Sequence, residues 1–223
     1  MQYTVWLASL LSVCGVSLLS LLGLSTFVIG KKTLQKLLIF FVSLAAGAMF
    51  GDVFIHLLPE IAHTNGFTLS ISLTFIAGIL FSFIIEKLIN WNHNHGHDCK
   101  DTNERAFTYM ILYGDSVHNF IDGLVIGSSY LLSPATGLAT TIAVVLHEIP
   151  HEIGDFGALL HGGFSRRKAL VMNFLSALTA ILGTISALLL FQYMKAIEVY
   201  LLSFAAANFI YIAGSDLIPE LHK

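Results

Sequence analysis

The sequence predicts an all-α membrane protein, a polytopic helical bundle of about seven transmembrane helices. Three observations predict it. The 223 residues are 56% hydrophobic and only 11% charged, with a mean hydropathy of +0.79, whereas a soluble domain carries about 25% charged residues. The apolar residues fall in runs long enough to cross a bilayer as helices, which takes about 20 residues each, and too long for the alternating ~10-residue strands of a membrane barrel. Histidine, carboxylate and asparagine side chains recur at helical spacing inside two of those runs, where burial is costly unless something compensates it.

The first run, 3–30, has no basic leader and exceeds a signal-peptide core, so it reads as a retained span. Apolar runs place the second and third spans at 34–58 and 67–89, and the fourth at 106–132. Ser133-Pro134 supplies an N-cap and a proline at the first helical position, which starts the fifth span, 135–162. Pro150 lies inside that span and is expected to interrupt it, freeing the carbonyl of Leu146. The sixth and seventh spans are 168–192 and 198–221.

Charge gives the orientation. Lys31, Lys32, Lys36, Lys87, Lys100, Arg105, Arg166, Arg167, Lys168 and Lys223 fall on one side of such a bundle and Lys195 alone on the other. The positive-inside rule then puts the N-terminus outside or lumenal. The chain, 1–223, forms a single transmembrane domain, with 90–105 as a cytosolic loop rich in histidine between the third and fourth spans. His93, His95, His97 and Cys99 in that loop are candidate ligands for a borderline divalent metal; a plain flexible linker accounts for them equally well. Cys14 and Cys99 are too differently placed to imply a disulfide framework.

Residues 45–60 laid over 205–220 without gaps match at Ala45/Ala205, Ala46/Ala206, Leu57/Leu217, Pro59/Pro219 and Glu60/Glu220. The second span runs outward and the seventh inward, so the match reads as an inverted repeat of the kind transporters build around a midplane site.

That site is legible in spacing. On the fourth span His118 and Asp122 are one turn apart and Asn119 flanks them; on the fifth His147, His151 and Asp155 step by four, with Glu148 and Glu152 on the adjoining row. His118 stands 13 residues past Arg105 and His147 stands 13 past Pro134. At 1.5 Å per residue both lie about 20 Å from opposite surfaces and therefore at one depth. Imidazoles with carboxylates suit Zn²⁺, and Fe²⁺ or Mn²⁺ fit the same ligands. Without thiolates such a site can release its ion. Asp52, His56 and Glu60 form a stripe leading outward; Asp115, Glu152, Asp155, Asp216 and Glu220 lead toward the cytosol. Interhelical hydrogen bonding is the bland account of any one of these residues, and snorkelling is the expectation for His63, His161 and Glu86 near span ends.

The stretches His147-Glu148-Ile149-Pro150-His151-Glu152-Ile153-Gly154-Asp155 and His118-Asn119-Phe120-Ile121-Asp122-Gly123 resemble the fifth- and fourth-helix motifs of the ZIP family of divalent metal transporters, in the subgroup with HExPHExGD on helix 5. Gly51-Asp52, His56-Leu57-Leu58-Pro59 and Asp216-Leu217-Ile218-Pro219-Glu220 resemble its second and seventh helices. The resemblance implies Zn²⁺ as transported substrate, moved toward the cytosol by alternating access, with spans 1, 4, 5 and 6 moving against 2, 3 and 7. It implies a two-metal centre, the first ion on His118, Asp122, His147 and His151, the second on Asn119, Asp122, Glu148 and His151 with Asn173 from the sixth span. It also implies an eighth span, so the chain is expected to be a truncated form or to do without that helix, and it lacks the subgroup's large extracellular domain.

Two other readings stay open. His147-Glu148-Ile149-Pro150-His151 satisfies the HExxH pattern of zinc proteases, with Glu148 as general base, although Pro150 disturbs the motif and Asp122 precedes it. A metal-binding sensor or scaffold without transport is the other. The expected partners are divalent metal ions and the lipid bilayer of the plasma membrane or an organelle, with a homodimer left open; no nucleic acid and no organic cofactor are expected.

Overall fold

The computed structural model describes residues 2–27, 30–64, 66–94 and 102–222. Helix α1 (Gln2–Ser17) continues into a tighter 3₁₀ stretch, Leu18–Phe27. The tightening has a local cause: the hydroxyls of Ser20, Ser25 and Thr26 each donate to the carbonyl three residues back, at 2.7, 2.8 and 2.7 Å. Helix α2 (Lys31–Gly51) passes through a π-helical stretch, Asp52–Leu57, into α3 (Leu58–Thr64). Helix α4 (Leu69–Asn94) follows.

Helix α5 (Thr102–Leu132) and helix α6 (Pro134–His161) turn on Ser133, whose side chain accepts the Thr136 N–H at 3.0 Å. Glycine 163, at φ +91°, ends α6 in a conformation that L side chains avoid. Helix α7 (Arg166–Ala177) leads to α8 (Thr179–Ile212), which breaks at Leu190 (φ −113°, ψ 20°) and so divides into the end of the sixth span and the start of the seventh. A second π-helical stretch, Ala213–Leu217, precedes α9 (Ile218–Leu221).

Among the described residues, five stretches are long and apolar enough to cross a membrane: Tyr3–Thr26, Lys36–Thr64, Leu69–Leu88, Arg166–Leu190 and Val199–Leu221. The other two expected spans, α5 and α6, are 31 and 28 residues long but carry the polar motifs. They pack against each other inside the bundle, and α5 also packs along α8. Large apolar side chains cover the outside, Ile55, Leu146 and Leu189 among them. A polar interior within an apolar exterior is the arrangement a membrane protein requires.

Two details depart from the sequence reading. Pro150 does not interrupt α6, which keeps helical geometry across it, because losing one ladder bond is offset by packing against α2 and α5 on either side. Helix α4 runs to Asn94 and α5 begins at Thr102, so both helices reach into the stretch expected as a loop at 90–105, of which 95–101 lie outside the described residues.

The two π-helical stretches occupy matching places in the repeat read from sequence. The N–H of Leu58 bonds the carbonyl of Val53, and the N–H of Ile218 bonds that of Ala213, each five residues back. Each is followed at once by a proline, Pro59 or Pro219, which has no N–H to donate.

Glycines set how closely the spans approach. A methyl on Gly123 would strike the carbonyl of Ala180, and one on Gly183 the carbonyl of Phe120, so α5 and α8 cross backbone to backbone. Thr184 Oγ1 donates to the Gly123 carbonyl at 2.9 Å across the same crossing. Gly123→Ala and Gly183→Ala should each cost about 1–3 kcal/mol, read as a lowered thermal unfolding midpoint in detergent. Gly47→Ala, where an added methyl meets nothing within 4 Å, should leave that midpoint unchanged.

Candidate metal centre

The two ligand rows converge as their spacing predicts. Helical rise puts His118 and Asp122 on one face of α5, and His147, Glu148 and His151 on the facing side of α6. His118 Nε2 lies 3.0 Å from Glu148 Oε1 and 3.4 Å from Asp122 Oδ2. His147 Nε2 lies 3.0 Å from the same Asp122 oxygen. The π-helical stretch adds Asp52, whose Oδ2 stands 3.8 Å from His118 Nδ1 and whose Oδ1 is 2.9 Å from His56 Nδ1. The His118 ring stacks on His151 with centroids 5.2 Å apart, and the His56 ring stands 5.5 Å from His147.

Among the described residues, three groups bring their ligand atoms within 4.8 Å of one another: His118, Asp122, His147 and Glu148; Asp52, His118 and His151; and Asp52, His56 and His147. The groups share members, so they form one continuous chain of ligands. His118 and His151 are 2% exposed and Glu148 is fully buried. Both nitrogens of His118, both oxygens of Glu148, Nε2 of His151 and Oδ2 of Asp52 have no hydrogen-bond partner. The His118–Glu148 approach at 3.0 Å is thus close without being aligned as a hydrogen bond. Buried polar atoms left without donors or acceptors cost about 1–3 kcal/mol each, and a divalent cation would satisfy most of them at once.

Asn119, expected beside Asp122 and Glu148, donates its amide nitrogen to Asp115 Oδ1 at 2.7 Å and leaves its own Oδ1 without a hydrogen-bond partner. Asn173 donates to Glu152, and Ser176 to Asp115. Asp115, Glu152 and Asp155 are all nearly inaccessible and join none of the three groups. Each helix follows its own turn here: Asp115 precedes His118 by three residues, while Glu152 and Asp155 follow Glu148 and His151 by four.

A cavity of about 260 Å³ opens on the other side of the cluster. His56, Glu60, Asp122, Ser129, Thr140 and His147 line it. It lies toward the end of the bundle that carries the α5–α6 turn.

Of the remaining predicted residues, Asp216 has a buried Oδ2 without a hydrogen-bond partner, and Glu220 Oε1 lies 2.7 Å from His161 Nε2. Neither reaches the ligand groups. His161 and Glu86 were expected to snorkel, but His161 pairs with Glu220 and Glu86 accepts from the Tyr211 hydroxyl at 2.5 Å; the seventh span supplies both partners, which span-end position alone does not reveal. His93 lies in the last turn of α4, and His95, His97 and Cys99 lie outside the described residues.

One contributor has no polar signature. Phe209, on α8, packs its ring 4.6 Å from the His118 centroid and 5.4 Å from that of His151, the latter stacked at 21°. It is 1% exposed and backs both imidazoles. Its only sequence signal is an aromatic seven residues before Asp216 on the repeat-bearing span. Phe209→Leu should keep the fold yet weaken Co²⁺ binding roughly tenfold, about 1.4 kcal/mol, with a change in the visible Co²⁺ bands. Unchanged affinity and bands would remove the ring from ligand positioning.

Comparison with known proteins gives consistent likenesses. A family model described as ZIP Zinc transporter matches residues 91–223. Zinc transporter zipt-7.1 of Caenorhabditis briggsae is 30% identical, covering 97% of this chain and 70% of that protein. Zinc transporter ZIP4 of Homo sapiens is 48% identical over 53% of this chain and 18% of its own length, and ZIP4 of Mus musculus is 31% identical over 81% and 38%. The chain therefore spans about a fifth to two fifths of the length of these ZIP4 proteins. With a family model over more than half its residues and a relative matched along most of both lengths, the chain belongs to the ZIP zinc transporter family.

Proposed function

We propose that this chain moves Zn²⁺ across a membrane toward the cytosol by alternating access through the cluster of His118, Asp122, His147, Glu148 and His151. One observation carries the reading: the cavity reaches Asp122 and His147 from one end of the bundle, while Asp115, Glu152, Asp155 and Asn173 on the opposite side of the cluster are at most 3% exposed. Among the described residues the cluster is thus reached from one end and buried at the other, which is what alternating access needs.

In this reading the N-terminus is outside or lumenal, the loop after α4 is cytosolic, and the cavity faces out. Asp52, His56 and Glu60 receive the ion at its mouth, with His147 shared between Asp52 and His56 on one side and Asp122 and Glu148 on the other. Asp216 and Glu220 lie along the cytosolic half. Shared ligands allow an ion to pass along without becoming fully unligated. Fe²⁺ and Mn²⁺ suit the same donors. The centre is expected to hold two ions, and the domain, 1–223, to act as one unit in the plasma membrane or an organelle, singly or as a homodimer.

The protease reading fares poorly on geometry. Glu148 Oε1 lies 3.0 Å from a ring nitrogen of His118 and its atoms fall within the ligand group, so the carboxylate would hold the metal rather than activate a water beside it. The relatives named above are transporters, not proteases.

The full chain in sealed proteoliposomes should accumulate Zn²⁺ with time. His118→Ala and His151→Ala should each abolish this uptake while the protein stays monodisperse. Normal uptake by both variants would overturn the proposal; binding without time-dependent flux in the wild type would favour the sensor reading.

A further inference from the structure

We propose that the contact between His161 and Glu220 is a latch that holds shut the end of the bundle opposite the cavity, and that it must part for the ion to leave on that side. The inference deepens the transport reading and rests on it for the ion's release; the closure itself is tested apart from flux.

Helix α6 carries His147, Glu148 and His151 of the ligand cluster and ends at His161. Ten residues separate His151 from His161, a rise of about 15 Å. On the seventh span Phe209 backs the imidazoles of His118 and His151, and Glu220 follows it eleven residues later, a rise of about 16 Å. The two spans therefore meet beside the cluster, where the rings of His151 and Phe209 stack at 21°, and again at the closed end, where His161 Nε2 lies 2.7 Å from Glu220 Oε1.

Both junctions are made by side chains. Helix α6 packs closely on α1, α2, α5 and α7, and α9 packs on α2. Spans that meet through long side chains separate by turning them, whereas a backbone crossing such as that of Gly154 on Ala45 must slide or come apart as a whole. Between the junctions the seventh span carries Asp216, whose buried Oδ2 has no hydrogen-bond partner. A carboxylate oxygen of that kind is costly in a membrane span that stays closed and is satisfied once water enters.

The pair itself is suited to holding and yielding. The side chains of His161 and Glu220 are 25% and 17% exposed, so water reaches them from one side, while the Phe107 ring of α5 stands edge-on to the imidazole, 6.4 Å between centroids. A hydrogen bond to a carboxylate is stronger than one between neutral groups. Partial hydration lets it break by exchanging a partner for water, without stranding a fully buried charge.

The test uses the full chain with Cys14→Ser and Cys99→Ser. In that background His161→Cys with Glu220→Cys, joined by a bifunctional methanethiosulfonate, should keep the visible Co²⁺ bands of imidazole ligation and stop time-dependent Zn²⁺ uptake into proteoliposomes. Reductant should restore the uptake, and the same reagent on either single cysteine should not stop it. Continued uptake by the cross-linked chain would overturn the latch, because a contact that never parts is cross-linked without consequence. A second measurement needs no flux. Ala158→Cys places a thiol three residues before His161, where the wild-type side chain is wholly inaccessible. His161→Ala should speed its labelling by a polar thiol reagent in detergent about tenfold, the loss expected of a hydrogen bond to a carboxylate. Glu220→Ala should do the same, and the double variant no more than either alone. Unchanged labelling in folded variants would also overturn the latch. A wild type without Zn²⁺ flux whose variants gain this labelling would count against the transport reading and leave the closure standing.

Discussion

The uncompensated burial of polar groups is the constraint on which the rest of the molecule depends. His118, Glu148 and His151 are almost wholly inaccessible, and among the described residues the ion-pair contacts of His118 and Glu148 run only between imidazole and carboxylate. In an apolar bundle, groups like these must be paired, neutralised or bound to a metal. Pairing is incomplete, as the unpartnered atoms of His118 and Glu148 attest. The ligand groups therefore make physical sense around a cation, and the helices that carry them are the two that fall short of ordinary membrane-spanning apolarity. Their place in the centre of the bundle follows: α5 and α6 cannot face lipid along their polar rows, so the more apolar spans must surround them.

Bringing such rows together demands close approach, and glycine provides it. The α5–α8 crossing at Gly123 and Gly183 leaves no room for a Cβ. On the other flank Gly154 and Gly157 of α6 lie against Ala45 and Phe41 of α2. These contacts differ in kind. The first is tied by a hydrogen bond from Thr184 to a backbone carbonyl; the second is contact of small and apolar groups. The sequence from glycine to close crossing to convergent ligands is thus continuous, and the site is a product of backbone proximity as much as of its polar residues.

Much of this was readable from residues alone, for definable reasons. The four-residue spacing of His118 with Asp122 and of His147 with His151 determines which side chains share a helix face, and charges at the loops determine which ends adjoin. Those two facts suffice to bring His118 and His147 together, ring centroids 5.4 Å apart. What spacing does not contain is the direction a short side chain takes once several partners are in reach. Asn119 sits beside His118 in sequence, and its amide nitrogen bonds Asp115. Phe209 escaped notice because an aromatic on an apolar span is ordinary, and only the fold shows that it backs two imidazoles. The His161–Glu220 contact joins residues 59 apart, beyond what local pattern can relate. Pro150 misled in the opposite sense, since its effect on a helix depends on what packs around the lost bond.

The paired π-helical stretches bear on how a helical stripe keeps its phase. In an α-helix with 3.6 residues per turn, a step of four overshoots by about 40°, so Asp52, His56 and Glu60 would drift around the helix by about 80° over two steps. The five-residue hydrogen bond at Val53 and Leu58 winds the chain more widely, takes up part of that drift, and lets His56 and Glu60 line one cavity with Asp52 bonded behind. Asp216 and Glu220 show the same step of four at the matching stretch of the seventh span. At these two stretches the widened helix holds a polar step of four nearer to one phase, whereas His147, His151 and Asp155 take the same step along an ordinary α-helix and fan around it.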